Sequence, residues 1–297
     1  MIDGLLVIDK PPGMTSHDVV QRVRRWAKQR RVGHLGTLDP LATGVLPLAL
    51  GEATKLSQLL TLGRKVYRGE ITLGVETTTY DREGEVTAEA PGPWPAGDAV
   101  EKALEPFRGE IEQVPPPYSA LKRGGEPAYK RARRGEEVVL EPRPVTVYRL
   151  EVLAYAPPRV DVEVECSAGT YLRSLAHDLG ASLATGGHLS DLCRTRSGPF
   201  LLDQAVELDD LEGMDPQASG VVRPMAAATG LPSFDVDART ARRVGQGVQL
   251  GRHEVRGAPP EGLIQLVRGE RLVALIEAIP GVAELRTSRV FLEGTKT

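Results

Sequence analysis

Apolar residues along this chain recur with two periods, and the alternation between them lays out an order of elements. Residues 5–8 form a short apolar run closed by Asp9-Lys10-Pro11-Pro12-Gly13, a strand followed by a turn. Thr15 with Asp18 three residues on has the form of a capping box. The helix it opens runs to about residue 29, with Val19, Val20, Val23, Trp26 and Ala27 on one face and most of its basic residues on the other. A second helix is predicted over 52–62, a strand over 66–73 and an amphipathic helix over 98–107. Strands resume at 146–155 and in the alternation of Val160, Val162, Val164 and Cys166. Gly169-Thr170 then opens a helix over 171–184, with Leu172, Leu175, Ala176 and Leu179 on one face, and strands follow near 189–195 and 199–202. This order does not repeat as βαβ units, so the class is α+β with mainly antiparallel hairpins and flanking helices.

The pattern breaks between residues 212 and 232, where EGMDPQASG and Gly230-Leu231-Pro232 intervene. Beyond it come a short helix near 237–245 and strands near 263–267, 271–278 and 286–291, a small β-rich module. A length of 297 residues fits two domains, 1–229 and 230–297. No apolar run reaches the 18 or so residues of a membrane span, and the N-terminus lacks the marks of a signal peptide, so the expected compartment is the cytoplasm. Cys166 and Cys193 lie in apolar surroundings without metal-ligand spacing and read as buried free thiols.

Charge changes the picture. The net charge is only −3, yet residues 10–68 carry eleven lysines and arginines against Asp18, Asp39 and Glu52. Six of these bases lie between Arg22 and Arg31, whereas residues 203–215 hold six acids and no base. A second cluster, Lys122, Arg123, Lys130, Arg131, Arg133 and Arg134, is opposed within 119–135 only by Glu126. One such cluster is usually a solvated face; two clusters flanking a turn-rich loop point to a polyanion surface. Residues 114–134, with Pro115-Pro116-Pro117, Gly124-Gly125 and two tyrosines, read as an extended basic surface loop able to lie along a phosphate backbone.

That turn-rich loop is HLGTLDPLATGVLP, residues 34–47. Gly33, Gly36 and Gly44 allow unusual dihedrals or close approach, and Pro40 stiffens the chain after Asp39. A carboxylate fixed against an apolar run can act as a nucleophile or stabilise a sugar cation. Locally, an Asp-Pro turn opener accounts for the same residues. Arg173 falls in the first turn of its helix, where a cation opposes the dipole and an anionic partner would explain it.

GLLVIDKPPGMTSHDVV, GHLGTLDPLATGVLPLALGEATK, YRGEITLG, VPPPYSALKRGGEPAYKRARRG and CSAGTYLRSLAHDLG, taken together and in this order, resemble the bacterial tRNA pseudouridine synthases of the TruB family over residues 4–200. The C-terminal 65 or so residues resemble a PUA-like RNA-binding appendage. The resemblance implies the pseudouridine synthase fold and isomerisation of uridine 55 in the T loop of tRNA, without cofactor or metal. It implies a flipped target nucleotide, a catalytic aspartate at Asp39, its arginine partner at Arg173, and a tyrosine at Tyr67 that stacks on the base. Tyr171 and Leu192 would line the uracil pocket, and His34 would fill the gap left in the T loop. Lys10, Lys122, Arg123, Arg131 and Arg133 would contact phosphates, with residues 114–134 folding over the RNA. The implied state is a monomer with the tRNA T arm as partner and no obligate protein partner. A guide-RNA-dependent synthase resembling dyskerin and a non-catalytic RNA-binding or remodelling protein are the competing readings.

Overall fold

Leu5, Leu6, Val7 and Ile8 are all buried because strand β1 (Gly4–Lys10) is covered on both faces. Leu6 and Ile8 enter one core cluster and Leu5 and Val7 another, so the run is continuous rather than alternating. The structure, a computed structural model, describes residues 1–119, 121–123, 126–134, 136 and 140–291. Helix α1 (Ser16–Trp26) begins with both halves of the Thr15–Asp18 capping box in place. Strand β2 (Val32–His34) and strand β3 (Thr43–Leu50) follow. The second expected helix is divided into a 3-10 turn, Gly51–Leu56, and a short α-helix, Ser57–Thr61.

Strand β3 was not legible in the sequence, because Pro47 argues against a central strand. Pairing with β2 ends at His34 opposite Leu48, and at Pro47 the neighbouring backbone asks only for the carbonyl, which accepts from the Leu35 N–H at 2.8 Å. The missing N–H therefore costs no ladder bond there.

Further strands are β4 (Lys65–Leu73), β5 (Gly109–Gln113), β6 (Arg143–Ala156), β7 (Arg159–Cys166), β8 (Gly187–Ser197) and β9 (Val206–Glu207). They form one sheet in the order β9-β1-β3-β8-β4-β7-β6-β5, with β2 on β3 and Phe200–Leu201 on β8. Only β1 with β9 and β3 with β8 run parallel. The sheet is thus mixed and mainly antiparallel, and helix α2 (Leu172–Ser182) packs against β8 and β4. Strand pairing between β3 and β8 is confined to Thr43 opposite Cys193 and Gly44 opposite Arg194. A Cβ on Gly44, whose φ is +94°, would stand 2.3 Å from the Arg194 carbonyl, so only glycine fits this crossing.

The charge asymmetry is settled in part inside the molecule. Arg22 on α1 meets Asp209 at 2.7 Å and Glu212 at 2.8 Å, Trp26 Nε1 donates to the Met214 carbonyl at 3.0 Å, and Arg31 pairs with Glu52. The acidic stretch neutralises Arg22 of this run, while Arg25, Lys28 and Arg30 stay exposed.

Residues 114–134 are also less extended than expected. Strand pair Lys122–Arg123 and Glu126–Pro127 precedes a helix at Ala128–Arg133. Cys166 is buried and Cys193 half-buried, both as free thiols.

The C-terminal part is a β-rich half-barrel. Its strands order as Ser233–Asp235, Gly262–Arg268, Arg271–Ala278, Glu284–Val290 and Leu250–Gly251. The helix Ala238–Gly245 is capped by Asp237, which accepts from the Thr240 N–H at 2.7 Å. One face of this unit forms its own core around Val244, Ile264, Ile276 and Leu285. The other face joins Val267, Leu272, Leu275 and Phe291 to the cluster that contains Leu5, Val7 and Leu56.

Candidate active site

The Asp39 turn is gripped from below by α1 and the turn before it. Ser16 Oγ donates to the Leu38 carbonyl at 3.0 Å and accepts from the Leu38 N–H at 2.8 Å. The Gly13 N–H donates to the Pro40 carbonyl at 2.9 Å, and Leu38, Leu41 and Ala42 are buried. Lys10 sits beneath the same turn, wholly buried, with its ammonium donating to the carbonyls of Pro11 at 2.8 Å and Pro40 at 3.2 Å. Its expected phosphate contact is therefore corrected: the side chain props the Asp39 loop. Burial lowers its pKa to about 8, against the opposing pull of Asp39.

From α2, Arg173 reaches the turn. Its Nε lies 3.0 Å from Asp39 Oδ2, an ion pair in which the N–H is not aligned as a hydrogen bond. Nη1 lies 3.5 Å from Asp81 Oδ2 and donates to the Thr79 carbonyl at 3.1 Å; Nη2 donates to the Tyr118 carbonyl at 3.0 Å. The anionic partners that a first-turn cation calls for are thus Asp39 and Asp81. Arg173 is only 5% exposed, whereas the Asp39 side chain is 37% open toward a cavity. Burial raises the Asp39 pKa above the ordinary carboxylate value; Arg173 opposes the shift and Asp81 adds to it.

That cavity, of about 250 Å³, is lined by Asp39, Tyr67, Tyr171, Leu192, Lys65 and Arg194 among others. The structure brings Asp39, Tyr67, Arg173, Tyr171 and Leu192 together from four separate stretches of sequence. Tyr67 on β4 is 7% exposed, its hydroxyl pKa raised by burial and drawn back by Arg194. Tyr171 is fixed through its backbone, since its N–H donates to Gln113 Oε1 at 2.8 Å and its carbonyl accepts from Gln113 Nε2 at 3.0 Å.

Lys65, Arg194, Asp81 and Gln113 were missed by sequence reasoning. Arg194 is 1% exposed and donates to the carbonyls of Val45, Thr37 and Gly36 at 2.8, 3.2 and 3.1 Å, tying the Asp39 loop to β8. Lys65 donates to Thr61 and Gly63 carbonyls at 2.7 and 2.6 Å, and burial brings its pKa to about 8. Strand period two carried the signal: Lys65 stands two residues from Tyr67, and Arg194 two from Leu192.

A second groove of about 460 Å³ adjoins the first and is lined by His17, His34, Asp39, Tyr118, Glu83 and Arg173 among others. His34 Nδ1 is buried without a hydrogen-bond partner in the protein. Its pKa is lowered, first by burial and then by Arg194 and His17. Arg131 pairs with Glu136 at 2.8 Å, and Arg134 with Glu126 and Glu136 at 2.7 Å each. The side chains of Lys122, Arg123 and Arg133 lie outside the described part of the structure. Among the described residues, no group of three or more His, Cys, Asp or Glu could hold a metal ion, and no helix is long and apolar enough to cross a membrane.

The same fold occurs in solved structures. A chain of "Crystal Structure of a Cbf5-Nop10-Gar1 Complex" superposes with TM-score 0.74 at 31% identity, covering 97% of this chain and 85% of that one. A chain of "Structure of H/ACA RNP bound to a substrate RNA containing 2'-deoxyuridine" gives 0.73 at 29%, with 97% and 85% covered. This chain belongs to the TruB family: the TruB family pseudouridylate synthase N-terminal domain matches residues 24–172, and the tRNA pseudouridylate synthase B C-terminal domain matches residues 173–228. It is 47% identical over 270 residues to the tRNA pseudouridine synthase B of Aromatoleum aromaticum, covering 90% of this chain and 85% of the relative. To that of Symbiobacterium thermophilum it is 50% identical, with 83% of each covered. To that of Solibacter usitatus it is 44% identical, with 94% and 96% covered.

Proposed function

We propose that this chain converts uridine 55 in the T loop of tRNA to pseudouridine, acting as a monomer in the cytoplasm. The observation that carries this reading is the Asp39–Arg173 ion pair opening into a cavity walled by Tyr67, Tyr171 and Leu192. In this reading the carboxylate faces the ribose C1′ of a nucleotide whose base stacks on Tyr67, which the shared cavity of the two residues supports. The C1′–N1 bond breaks, the uracil turns within the cavity, and C5 bonds to C1′. C5 then loses its proton and N1, freed from C1′, gains one, so the isomerisation balances in atoms and electrons. Arg173 keeps the carboxylate ionised and aimed against the burial that raises its pKa. His34, beside Asp39 in the second groove, fills the space left by the flipped nucleotide. The PUA-like C-terminal unit, residues 230–297, serves RNA binding, and residues 114–134 close over the T arm.

The likeness to the H/ACA chains is weaker in sequence than that to the relatives named for tRNA, which supports a standalone enzyme. The test is pseudouridine mapping of a tRNA transcript incubated with the purified protein and no guide RNA; an unmodified position 55 sinks the reading.

Two expectations arise at this site. Tyr67→Phe keeps the ring and removes a buried hydroxyl, so tRNA affinity stays within about twofold while turnover falls by about 10²-fold if that oxygen takes the C5 proton. Wild-type turnover would reduce Tyr67 to a stacking platform. Arg131 reaches a phosphate only by exchanging Glu136 for it, so Arg131→Ala should flatten the log–log salt slope of tRNA binding by up to about one unit. An unchanged slope removes Arg131 from the interface.

A further inference from the structure

Tyr80 and His177 line neither groove, yet their rings stack in parallel, with centroids 3.9 Å apart and planes 3° from parallel. Tyr80 has φ +62°, a conformation uncommon for a residue with a side chain. The neighbours on either side of it, Thr79 and Asp81, both contact Nη1 of Arg173, through a carbonyl at 3.1 Å and a carboxylate oxygen at 3.5 Å. The left-handed residue reverses the chain so that both face one guanidinium nitrogen. His177 stands four residues after Arg173 on α2, so the two side chains lie one turn apart on the same helix face. One helix face therefore holds this turn at two points, by charge at Arg173 and by ring stacking at His177. His177 Nδ1 is buried with no hydrogen-bond partner in the protein, so no hydrogen bond at that nitrogen competes with the stack in orienting the ring.

We propose that Tyr80 and His177 are positioning residues: their stack fixes the 79–81 turn against Arg173 and thereby aims the Asp39 carboxylate. The inference rests on the reading of Asp39 as the nucleophile. Glycine adopts φ > 0 freely, so Tyr80→Gly keeps the backbone and removes only the ring. Misplacement of catalytic groups acts on turnover. Tyr80→Gly is accordingly expected to lower kcat by about tenfold with KM for tRNA within about twofold. Tyr80→Phe, which preserves the stack, should stay within about twofold of wild type. His177→Leu should match Tyr80→Gly, and the double variant should be no worse than the poorer single, because each removes the same contact.

Wild type and Asp39→Asn run beside the series. Absence of pseudouridine from wild type, or its persistence in Asp39→Asn, overturns the functional reading and not the stack. With that reading intact, wild-type kcat in Tyr80→Gly, a loss carried by KM alone, a multiplicative loss in the double variant, or failure of Tyr80→Phe to preserve turnover overturns the positioning role. If Tyr80→Gly does not fold, His177→Leu carries the same division between kcat and KM.

Discussion

Asp39→Asn is expected to fold, bind tRNA and form no pseudouridine, a loss of about 10⁴-fold or more in turnover. The amide matches the carboxylate in size but lacks its charge and nucleophilicity. The turn keeps its supports, because Ser16, Gly13 and Lys10 hold the backbone of Leu38 and Pro40 rather than the Asp39 carboxylate. Arg173 keeps Asp81 and the carbonyls of Thr79 and Tyr118. Burial holds the ionised Asp39 at a cost, so the neutral amide should leave the melting temperature at neutral pH unchanged or raised. Pseudouridine mapping, a binding isotherm and a thermal melt check the three parts. Turnover above about 1% of wild type, with the amide confirmed by mass spectrometry, removes the nucleophile role from Asp39.

Arg173→Met should have the second largest effect, and on stability as well as rate. It leaves Asp39 and Asp81 without their shared cation and frees the Thr79 and Tyr118 carbonyls, and breaking the buried Arg173–Asp81 pair alone costs about 3–5 kcal/mol. Removing the cation also removes the main influence that lowers the Asp39 pKa, so this pKa rises further. Turnover needs the ionised form; the acid limb of the pH–rate profile should therefore lie above the ordinary Asp range in wild type and move to higher pH in Arg173→Met. A carboxyl whose folded-state pKa exceeds its unfolded value binds more protons when folded. Its drag on stability is thus present above the folded pKa and is relieved as pH falls through it. The melting-temperature deficit of Arg173→Met against wild type should consequently shrink from pH 8 to pH 5. A deficit that grows over that range contradicts the assignment.

Much of this was legible in the chain, and the exceptions share a cause. The capping box at Thr15, the alternating strand at 160–166 and the apolar face of α2 each state their structure locally, and each formed where expected. Strand β3 did not, because a proline in a continuous apolar run reads as loop until the pairing on each side is known. Asp39 and Arg173 are 134 positions apart in a chain whose local pattern gives no hint of their contact; only the unfavourable cation in a first turn signalled a missing anion. Arg194 and Lys65 stayed hidden because a charge on an inward strand position is read as surface until that face is covered on both sides. Within the basic run at Arg22–Arg31 the partner of Arg22 was hidden for the complementary reason, since its counterions come from residues 209–212.

The shared cluster beneath the sheet bears on how this protein can be divided. Leu35 and Val45, at the two ends of the Asp39 loop, are buried together with Leu272, Leu275 and Phe291 from the C-terminal half-barrel. Excision of the half-barrel would not yield a smaller enzyme with weaker RNA affinity. It would bare the apolar cluster that Leu35 and Val45 share with Leu56 and Leu60, and the forfeited burial is about 1.5–3 kcal/mol for each large side chain uncovered. The appendage shares a core with both ends of the Asp39 loop, so a graft of it from a relative must match this underside as well as any RNA it touches.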